Sequence, residues 1–120
     1  MSGRILIVEH DPVIAADLYI QTEDLGYDVG EPVASVGEAL AEVEAGGVRA
    51  ALLDCQLVGE TSLAVAERLA ASDTPFAYVT ALDGFPADRA AWPEAPVLGK
   101  PLGGRDLERV LEGFGRAPTP

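Results

Sequence analysis

The sequence is poor in cysteine and in basic residues. Cys55 is the only cysteine among the 120 residues, which excludes a disulfide framework and a metal site built from several thiolates. Eight basic residues stand against twenty acidic ones, and the formal net charge is -12. A chain of this composition has no basic stripe to neutralise phosphates. We therefore expect it to bind neither nucleic acid nor an anionic membrane surface.

Long hydrophobic runs and glycine-rich phosphate loops are also missing. No stretch approaches the roughly eighteen apolar residues that suggest a membrane span. An apolar strand pattern follows directly on Met1-Ser2-Gly3, so we predict no signal peptide and a cytoplasmic location. Neither type of nucleotide-binding loop motif is present, which argues against nucleotide binding.

Four short apolar runs are the most informative feature that is present. Each is followed by a polar side chain: residues 5–8 by Glu9, 50–53 by Asp54, 76–79 by Thr80 and 96–99 by Lys100. Runs of this length, bounded by turn residues, are typical of strands buried on both faces of a parallel sheet. Ligands of such sheets bind outside the carboxyl ends of the strands. We therefore expect these side chains to meet at one edge of the sheet.

Helical patterns separate the apolar runs. Asp11, Ser35 and either Thr61 or Ser62 are candidate N-caps of helices, and a further helix is expected over residues 105–114. The interval 82–95 contains two prolines, so its helix should be short or degraded. Residues 27–30 suggest a weak edge strand. This alternation predicts an α/β, doubly wound (βα)5 sandwich with a parallel five-stranded sheet, formed by residues 1–115 and followed by a tail at 116–120.

The polar strand ends suggest phosphoryl chemistry. Glu9, Asp11 and Asp54 offer the hard oxygens that Mg²⁺ prefers. An acid held near a divalent cation, the Lys100 ammonium and the Thr80 hydroxyl is a candidate phosphoryl acceptor, because the cation and the lysine stabilise negative charge on the transferring group. Each residue alone also has an ordinary structural explanation, and the joint pattern is what favours the chemistry.

The same residues resemble the receiver domains of two-component response regulators over essentially the whole chain. Residues 5–12 resemble the family's first strand and acidic pair, and Leu52-Leu53-Asp54 resembles its phosphoacceptor strand. Residues 79–81 resemble the switch threonine with its small follower, and 99–101 the lysine–proline step. The resemblance implies a flavodoxin-like fold with strand order 2-1-3-4-5.

The resemblance also implies functional roles. Asp54 would accept phosphate from a histidine kinase or a histidine phosphotransfer protein. Glu9 and the backbone carbonyl of Gln56 would join Asp54 in holding Mg²⁺. Contacts to the phosphoryl group would come from Thr80, Ala81 and Lys100. The peptide bond before Pro101 would be a cis-peptide candidate.

Two departures from the family pattern stand out. His10 replaces a carboxylate that usually touches the metal, so we expect weak Mg²⁺ binding; alternatively, His10 pairs with Asp54 or Glu9 and partly mimics the cation. Val97 stands where many receivers carry an aromatic switch residue. With its degraded fourth helix, the chain is similar to the stand-alone FATGUY receivers, named for a Phe-Ala-Thr-Gly motif that here reads Tyr78-Val79-Thr80-Ala81.

Three functions remain open at this point. The first is a single-domain receiver, not an enzyme, which signals by phosphorylation-dependent protein binding, with residues 82–96 as the expected output surface. The second is a pseudo-receiver whose metal binding is impaired by His10 and which acts by protein contact alone. The third is a phosphatase with an aspartyl nucleophile, which is disfavoured because Gln56 replaces the second acid of the usual Asp-x-Asp pair.

Overall fold

A computed structural model describes residues 3–81, 85–86, 88–100 and 102–115. The elements in chain order are β1 (Arg4–Val8), α1 (Pro12–Asp24), α2 (Val36–Ala45), β2 (Val48–Leu53), β3 (Gln56–Leu57), β4 (Glu60–Thr61), α3 (Leu63–Ala71), β5 (Phe76–Ala81), β6 (Val97–Lys100) and α4 (Gly104–Gly115). The strands β1, β2, β5 and β6 form a parallel sheet in the spatial order β1-β2-β5-β6. This arrangement confirms the predicted flavodoxin-like, doubly wound sandwich.

The edge of the sheet next to β1 differs from the prediction. Val29 and Val33 form isolated parallel bridges to Ile5 and Val8, so this segment lies beside β1, as the order 2-1-3-4-5 requires. It does not form a continuous strand, and the sheet of the described residues has four strands instead of five. Pro32 supplies one physical reason, because a proline cannot donate a hydrogen bond to a ladder.

The two faces of the sheet bury two separate cores. Alternate strand residues point to opposite faces, so Leu6, Val8, Ala51 and Leu53 pack on one side with side chains of α2 and α3. Ile5, Ile7, Ala50 and Leu52 pack on the other side with Leu18 of α1 and with Leu107 and Leu111 of α4. Helices on both faces explain why these strands are continuously apolar.

The helix starts agree in part with the expected caps. The Asp11 side chain accepts hydrogen bonds from the backbone N–H groups of Val13 at 2.9 Å and Ile14 at 3.4 Å, as predicted. The Ser35 hydroxyl accepts from the Glu38 N–H at 3.2 Å, completing the expected cap of α2. Ser62 occupies the N-cap position of α3, yet its side chain makes no capping hydrogen bond. None of the helices within the described ranges combines the length and apolar character needed to cross a bilayer.

Within the described residues between β5 and β6, the helical structure is a 3₁₀ turn, Arg89–Ala91, which agrees with the short fourth helix. Apolar side chains nevertheless attach this segment to the sheet. Trp92 is buried, and the rings of Phe85 and Trp92 pack edge-to-face on Tyr78 with centroid distances of 5.1 and 5.6 Å. The Tyr78 hydroxyl also donates to the Pro93 carbonyl at 2.6 Å. An aromatic cluster therefore attaches this segment to β5.

A small hairpin, β3 and β4, follows β2 and was not predicted. Gly59 lies in its turn with φ 73, a conformation that glycine adopts without strain. The carboxylate of Glu60 accepts a hydrogen bond from the backbone N–H of Val36 at 3.0 Å. The hairpin is thus linked to the start of α2.

Candidate functional site

The carboxyl ends of the four sheet strands bring the predicted polar side chains together. Glu9 directly follows β1 and Asp54 directly follows β2, and the Asp54 N–H donates to the Val8 carbonyl at 2.8 Å. Thr80 lies near the end of β5, and Lys100 is the last residue of β6, paired with Ala81. The parallel register, which the apolar runs determine, therefore sets the positions of these groups.

Lys100 bridges the two carboxylates. Its ammonium Nζ lies 2.7 Å from Oε1 of Glu9 and 3.4 Å from Oδ2 of Asp54. The side chains of Glu9 and Asp54 are almost fully buried, and that of Lys100 is 17% exposed. Two buried like charges are unfavourable without a cation between them. Lys100 therefore supplies the positive charge that allows both acids to lie at this edge.

The environment of Glu9 shifts the pKa of its carboxyl group. Burial raises its pKa above the ordinary value, and the neighbouring Asp54 carboxylate adds to the rise. The Lys100 ammonium and the backbone N–H of Asp11 oppose it, and that N–H donates to Oε2 of Glu9 at 3.0 Å. The site thus holds Glu9 with few water molecules and with specific donors in their place.

His10 lies against both carboxylates. Its ring nitrogen Nδ1 is 2.7 Å from Oδ2 of Asp54 and 3.4 Å from Oε2 of Glu9. The side chain is 40% exposed, so the ring covers the outer side of the two buried acids. Of the two roles considered for His10, this position agrees with pairing to Asp54 and Glu9.

The second oxygen of Asp54 faces the β3–β4 hairpin. Oδ1 accepts a hydrogen bond from the Gln56 backbone N–H at 3.3 Å. The Ser62 N–H donates to the Cys55 carbonyl at 3.0 Å, so Gln56 and Thr61 are the adjacent, non-hydrogen-bonded pair of the ladder. The Gln56 carbonyl consequently points away from β4.

The remaining predicted residues lie at the end of β5 and beyond β6. Thr80 is buried, whereas Ala81 is exposed. Cys55, next to Asp54, is fully buried; burial and the Asp54 charge raise its pKa to about 11, and hydrogen bonding with the Thr80 side chain opposes the rise. Pro101, the candidate for a cis peptide bond, lies outside the described residues.

A metal-ligand set can be identified within the described chain. Glu9, His10 and Asp54 each offer one ligand atom, and these atoms lie within 4.8 Å of one another. Two of the three donors are carboxylate oxygens, the type that Mg²⁺ favours, whereas the imidazole nitrogen is a softer ligand. The set therefore has two ligand atoms that suit Mg²⁺, the carboxylate oxygens, and one that suits it poorly, the imidazole nitrogen.

Solved structures provide a comparison with this geometry. SdrG from Sphingomonas melonis Fr1 is 39% identical, with a TM-score of 0.81, and the match covers 94% of this chain and 96% of that chain. The signal receiver domain of a modulated diguanylate cyclase from Desulfovibrio desulfuricans G20 is 30% identical with a TM-score of 0.81, covering 95% of this chain and 94% of that one. The chain belongs to the response regulator receiver domains. Receiver domains are signalling domains rather than catalytic enzymes.

A further receiver domain relates this fold to a metal. The receiver domain of the sensor histidine kinase PA1611 from Pseudomonas aeruginosa PAO1 is 25% identical with a TM-score of 0.83, covering 98% of this chain and all of that one. That receiver has a magnesium ion coordinated in its active-site cleft. No family model and no curated protein matches the present chain.

Two supporting residues of the receiver site were missed from the sequence. Glu60 caps α2 from the hairpin that carries Gln56, but it lies 24 residues from its partner Val36, and no local pattern signals such a contact. The Asp11 backbone N–H donates a hydrogen bond to Glu9, and its direction is set by the turn that precedes α1. The sequence suggested Asp11 as a cap and as an oxygen ligand for Mg²⁺, whereas its backbone N–H was overlooked because backbone donors leave no mark in a sequence.

Proposed function

We propose that this receiver domain accepts a phosphoryl group on Asp54 from a histidine kinase or a histidine phosphotransfer protein. It would act in the cytoplasm as a single domain and signal by phosphorylation-dependent protein binding. The observation that carries the proposal is the buried pair of carboxylates bridged by Lys100 at the carboxyl ends of β1, β2 and β6. Membership of the receiver family supports it.

The chemistry follows from the positions of these groups. A carboxylate oxygen of Asp54 attacks phosphorus, and the bond from phosphorus to the donor nitrogen or oxygen breaks with its electron pair leaving on the donor. The Lys100 ammonium, already beside both acids, stabilises negative charge on the transferring group. The Thr80 hydroxyl at the end of β5 would donate a hydrogen bond to that group, and Ala81 leaves space beside it.

The residues present fit a magnesium ion in part. Glu9, Asp54 and the outward-pointing Gln56 carbonyl would hold it through oxygen, whereas His10 contributes no carboxylate. When bound, the ion would neutralise charge on the phosphoryl oxygens. We expect weak binding, because one acid of the usual set is replaced.

The test is the intact mass of the protein after incubation with acetyl phosphate and Mg²⁺. The wild-type protein should gain one phosphoryl group, which hydroxylamine should remove because the product is an acyl phosphate. Asp54→Asn should abolish the gain. Asp24→Asn, a matched change at an exposed acid of α1, should leave it intact.

The result that would contradict the proposal is equally direct. Phosphorylation of Asp54→Asn to the wild-type extent would place the acceptor elsewhere. A folded wild-type protein that never gains mass, even at high Mg²⁺, would remove phosphoryl transfer to Asp54 from its function.

The pseudo-receiver is a second candidate, favoured by the 2.7 Å contact of His10 with Asp54. In that case the imidazole would block the acceptor, and the domain would act by protein contact alone. Phosphorylation of His10→Asp but not of the wild-type protein would identify this alternative.

The output surface is expected at the segment between β5 and β6. Its aromatic attachment to Tyr78 places it next to the strand that carries Thr80. A rearrangement at the end of β5 would therefore reach Trp92. Hydrogen exchange of residues 88–96 should change on phosphorylation; unchanged exchange there would move the output surface to α4.

A further inference from the structure

The hydrogen bond between His10 and Asp54 specifies which atom carries a hydrogen. A carboxylate accepts hydrogen bonds and does not donate them. With Asp54 ionised, the separation of 2.7 Å between Nδ1 and Oδ2 is a hydrogen bond only when Nδ1 carries a hydrogen. A ring nitrogen that carries a hydrogen has no lone pair for a metal. In this arrangement His10 is a hydrogen-bond donor and not a metal ligand through Nδ1.

The second ring nitrogen does not replace the first. Nε2 lies on the far side of the imidazole, so it points away from Asp54 while Nδ1 contacts that residue. The side chain is 40% exposed, which agrees with an outward-facing edge of the ring. Ligation through either nitrogen requires the ring to leave its present position.

The position of Nδ1 is also the place where a shared cation would bind. This single atom is 2.7 Å from Oδ2 of Asp54 and 3.4 Å from Oε2 of Glu9. An ion held by Oδ2 of Asp54 and Oε2 of Glu9 would occupy the place that Nδ1 now takes. Lys100 makes its shorter contact with the other oxygen of Glu9, at 2.7 Å from Oε1, and lies 3.4 Å from Oδ2 of Asp54. His10 and a divalent cation therefore compete for one location.

We propose that His10 is a latch over the phosphoacceptor: its Nδ1–H must release Oδ2 of Asp54 before Mg²⁺ can bind through this oxygen and Oε2 of Glu9. This inference rests on the proposed phosphoryl acceptance by Asp54 and deepens it. The latch makes metal binding weaker by competition, in addition to the absence of a third carboxylate. An open groove along α1, lined by His10, Pro12, Ala15, Ala16 and Tyr19, gives the ring space outside the site.

The magnitude of the competition follows from the bond that is lost. Hydrogen bonds to charged groups change an equilibrium by about one to two powers of ten. The partial exposure of His10 lowers this contribution, since water replaces part of the bond. We expect the latch to weaken Mg²⁺ binding by about 10-fold.

The direction in which His10→Ala changes the Mg²⁺ affinity distinguishes a latch from a metal ligand. Isothermal titration calorimetry with Mg²⁺ should give about 10-fold tighter binding for His10→Ala than for the wild type, although the variant has lost a potential ligand. His10→Asp should bind tighter still, because it also supplies an oxygen. Val13→Ala, at a side chain that is 75% exposed in the first turn of α1, is the matched control and should behave as wild type.

Three outcomes of the titration would overturn the latch. Weaker binding by His10→Ala would make His10 a ligand. Equal binding by His10→Ala and wild type would show that His10 does not compete with Mg²⁺. Undetectable binding by both proteins at millimolar Mg²⁺ would show that the latch does not limit the affinity. Phosphorylation of Asp54 has its own test in the mass measurement, so a failed latch and a failed acceptor are distinguished.

A spectroscopic measurement on the wild-type protein tests the latch without a mutation. Two-bond ¹H–¹⁵N correlation spectra of the imidazole at pH 8 identify the nitrogen that carries the hydrogen. Without metal the hydrogen should lie on Nδ1, and saturating Mg²⁺ should shift the ring signals as the bond to Asp54 opens. A hydrogen on Nε2 alone, or ring signals that Mg²⁺ leaves unchanged, would refute the proposal.

Discussion

Tyr78→Phe tests how firmly the segment between β5 and β6 is attached to the sheet. The change deletes one hydroxyl, which donates to the Pro93 carbonyl at 2.6 Å, and keeps the ring contacts with Phe85 and Trp92. Tyr78 is only 1% exposed, so water cannot readily replace the lost partner of the carbonyl. A buried hydrogen bond of this kind contributes about 1–2 kcal/mol. We expect the free energy of unfolding at pH 7 to fall by that amount.

The same hydroxyl predicts a dependence on pH. Burial raises the pKa of Tyr78 from 10.0 to about 12 in the folded protein. A group whose pKa is raised on folding contributes stability that is complete below its unfolded value and is lost as pH rises through the folded value. A difference of this size corresponds to about 2–3 kcal/mol. Because this loss exceeds the advantage of wild type over Tyr78→Phe at pH 7, the advantage should disappear between pH 10 and pH 12 and then reverse.

Urea unfolding followed by the fluorescence of Trp92, the only tryptophan, measures both effects, with far-UV circular dichroism as a second probe. Tyr19→Phe is the matched control: its hydroxyl makes an exposed contact of 3.4 Å with Glu23, so its loss should cost less than about 0.5 kcal/mol. If Tyr78→Phe were as stable as Tyr19→Phe, or if its deficit did not change with pH, the hydroxyl would not anchor the segment.

Three further predictions concern the rest of the fold. Ser35→Ala should lower the free energy of unfolding by about 1 kcal/mol because it removes a cap. Ser62→Ala should leave that free energy unchanged or raise it, because the buried Ser62 hydroxyl finds no partner among the described residues. Urea unfolding of the two variants checks the contrast. Cys55, fully buried with a pKa near 11, should react with a thiol reagent at pH 8 only after unfolding, and rapid labelling of the folded protein would contradict its placement. Leu69→Ala, at a side chain with 0% exposure, should cost about 2–5 kcal/mol in the same urea assay, and a loss below 1 kcal/mol would show that the core under α3 is loosely packed.

The sequence predicted the parallel sheet and the residues at its strand ends because both depend on local patterns. Short apolar runs indicate buried strands, and a polar residue after each run necessarily lies where the strand ends. Asp54 and Lys100 were placed in this way, and the structure brings them together with Glu9. The edge strand was predicted less well. Its pairing depends on how far Val29 and Val33 can follow β1 around Pro32, and tertiary geometry decides that.

The contacts of His10 and Trp92, which distinguish this receiver, were decided by the tertiary structure. The sequence showed that His10 replaces an acid, but the position of its ring between two carboxylates depends on the separation of β1 and β2 and on the turn into α1. Likewise, the interval 82–95 contained a tryptophan and two prolines, yet only the folded chain brings Trp92 onto Tyr78, 14 residues away. Local patterns determine elements because they act through the backbone over a few residues. Side-chain pairs across strands depend on distances that exist only after the sheet has formed.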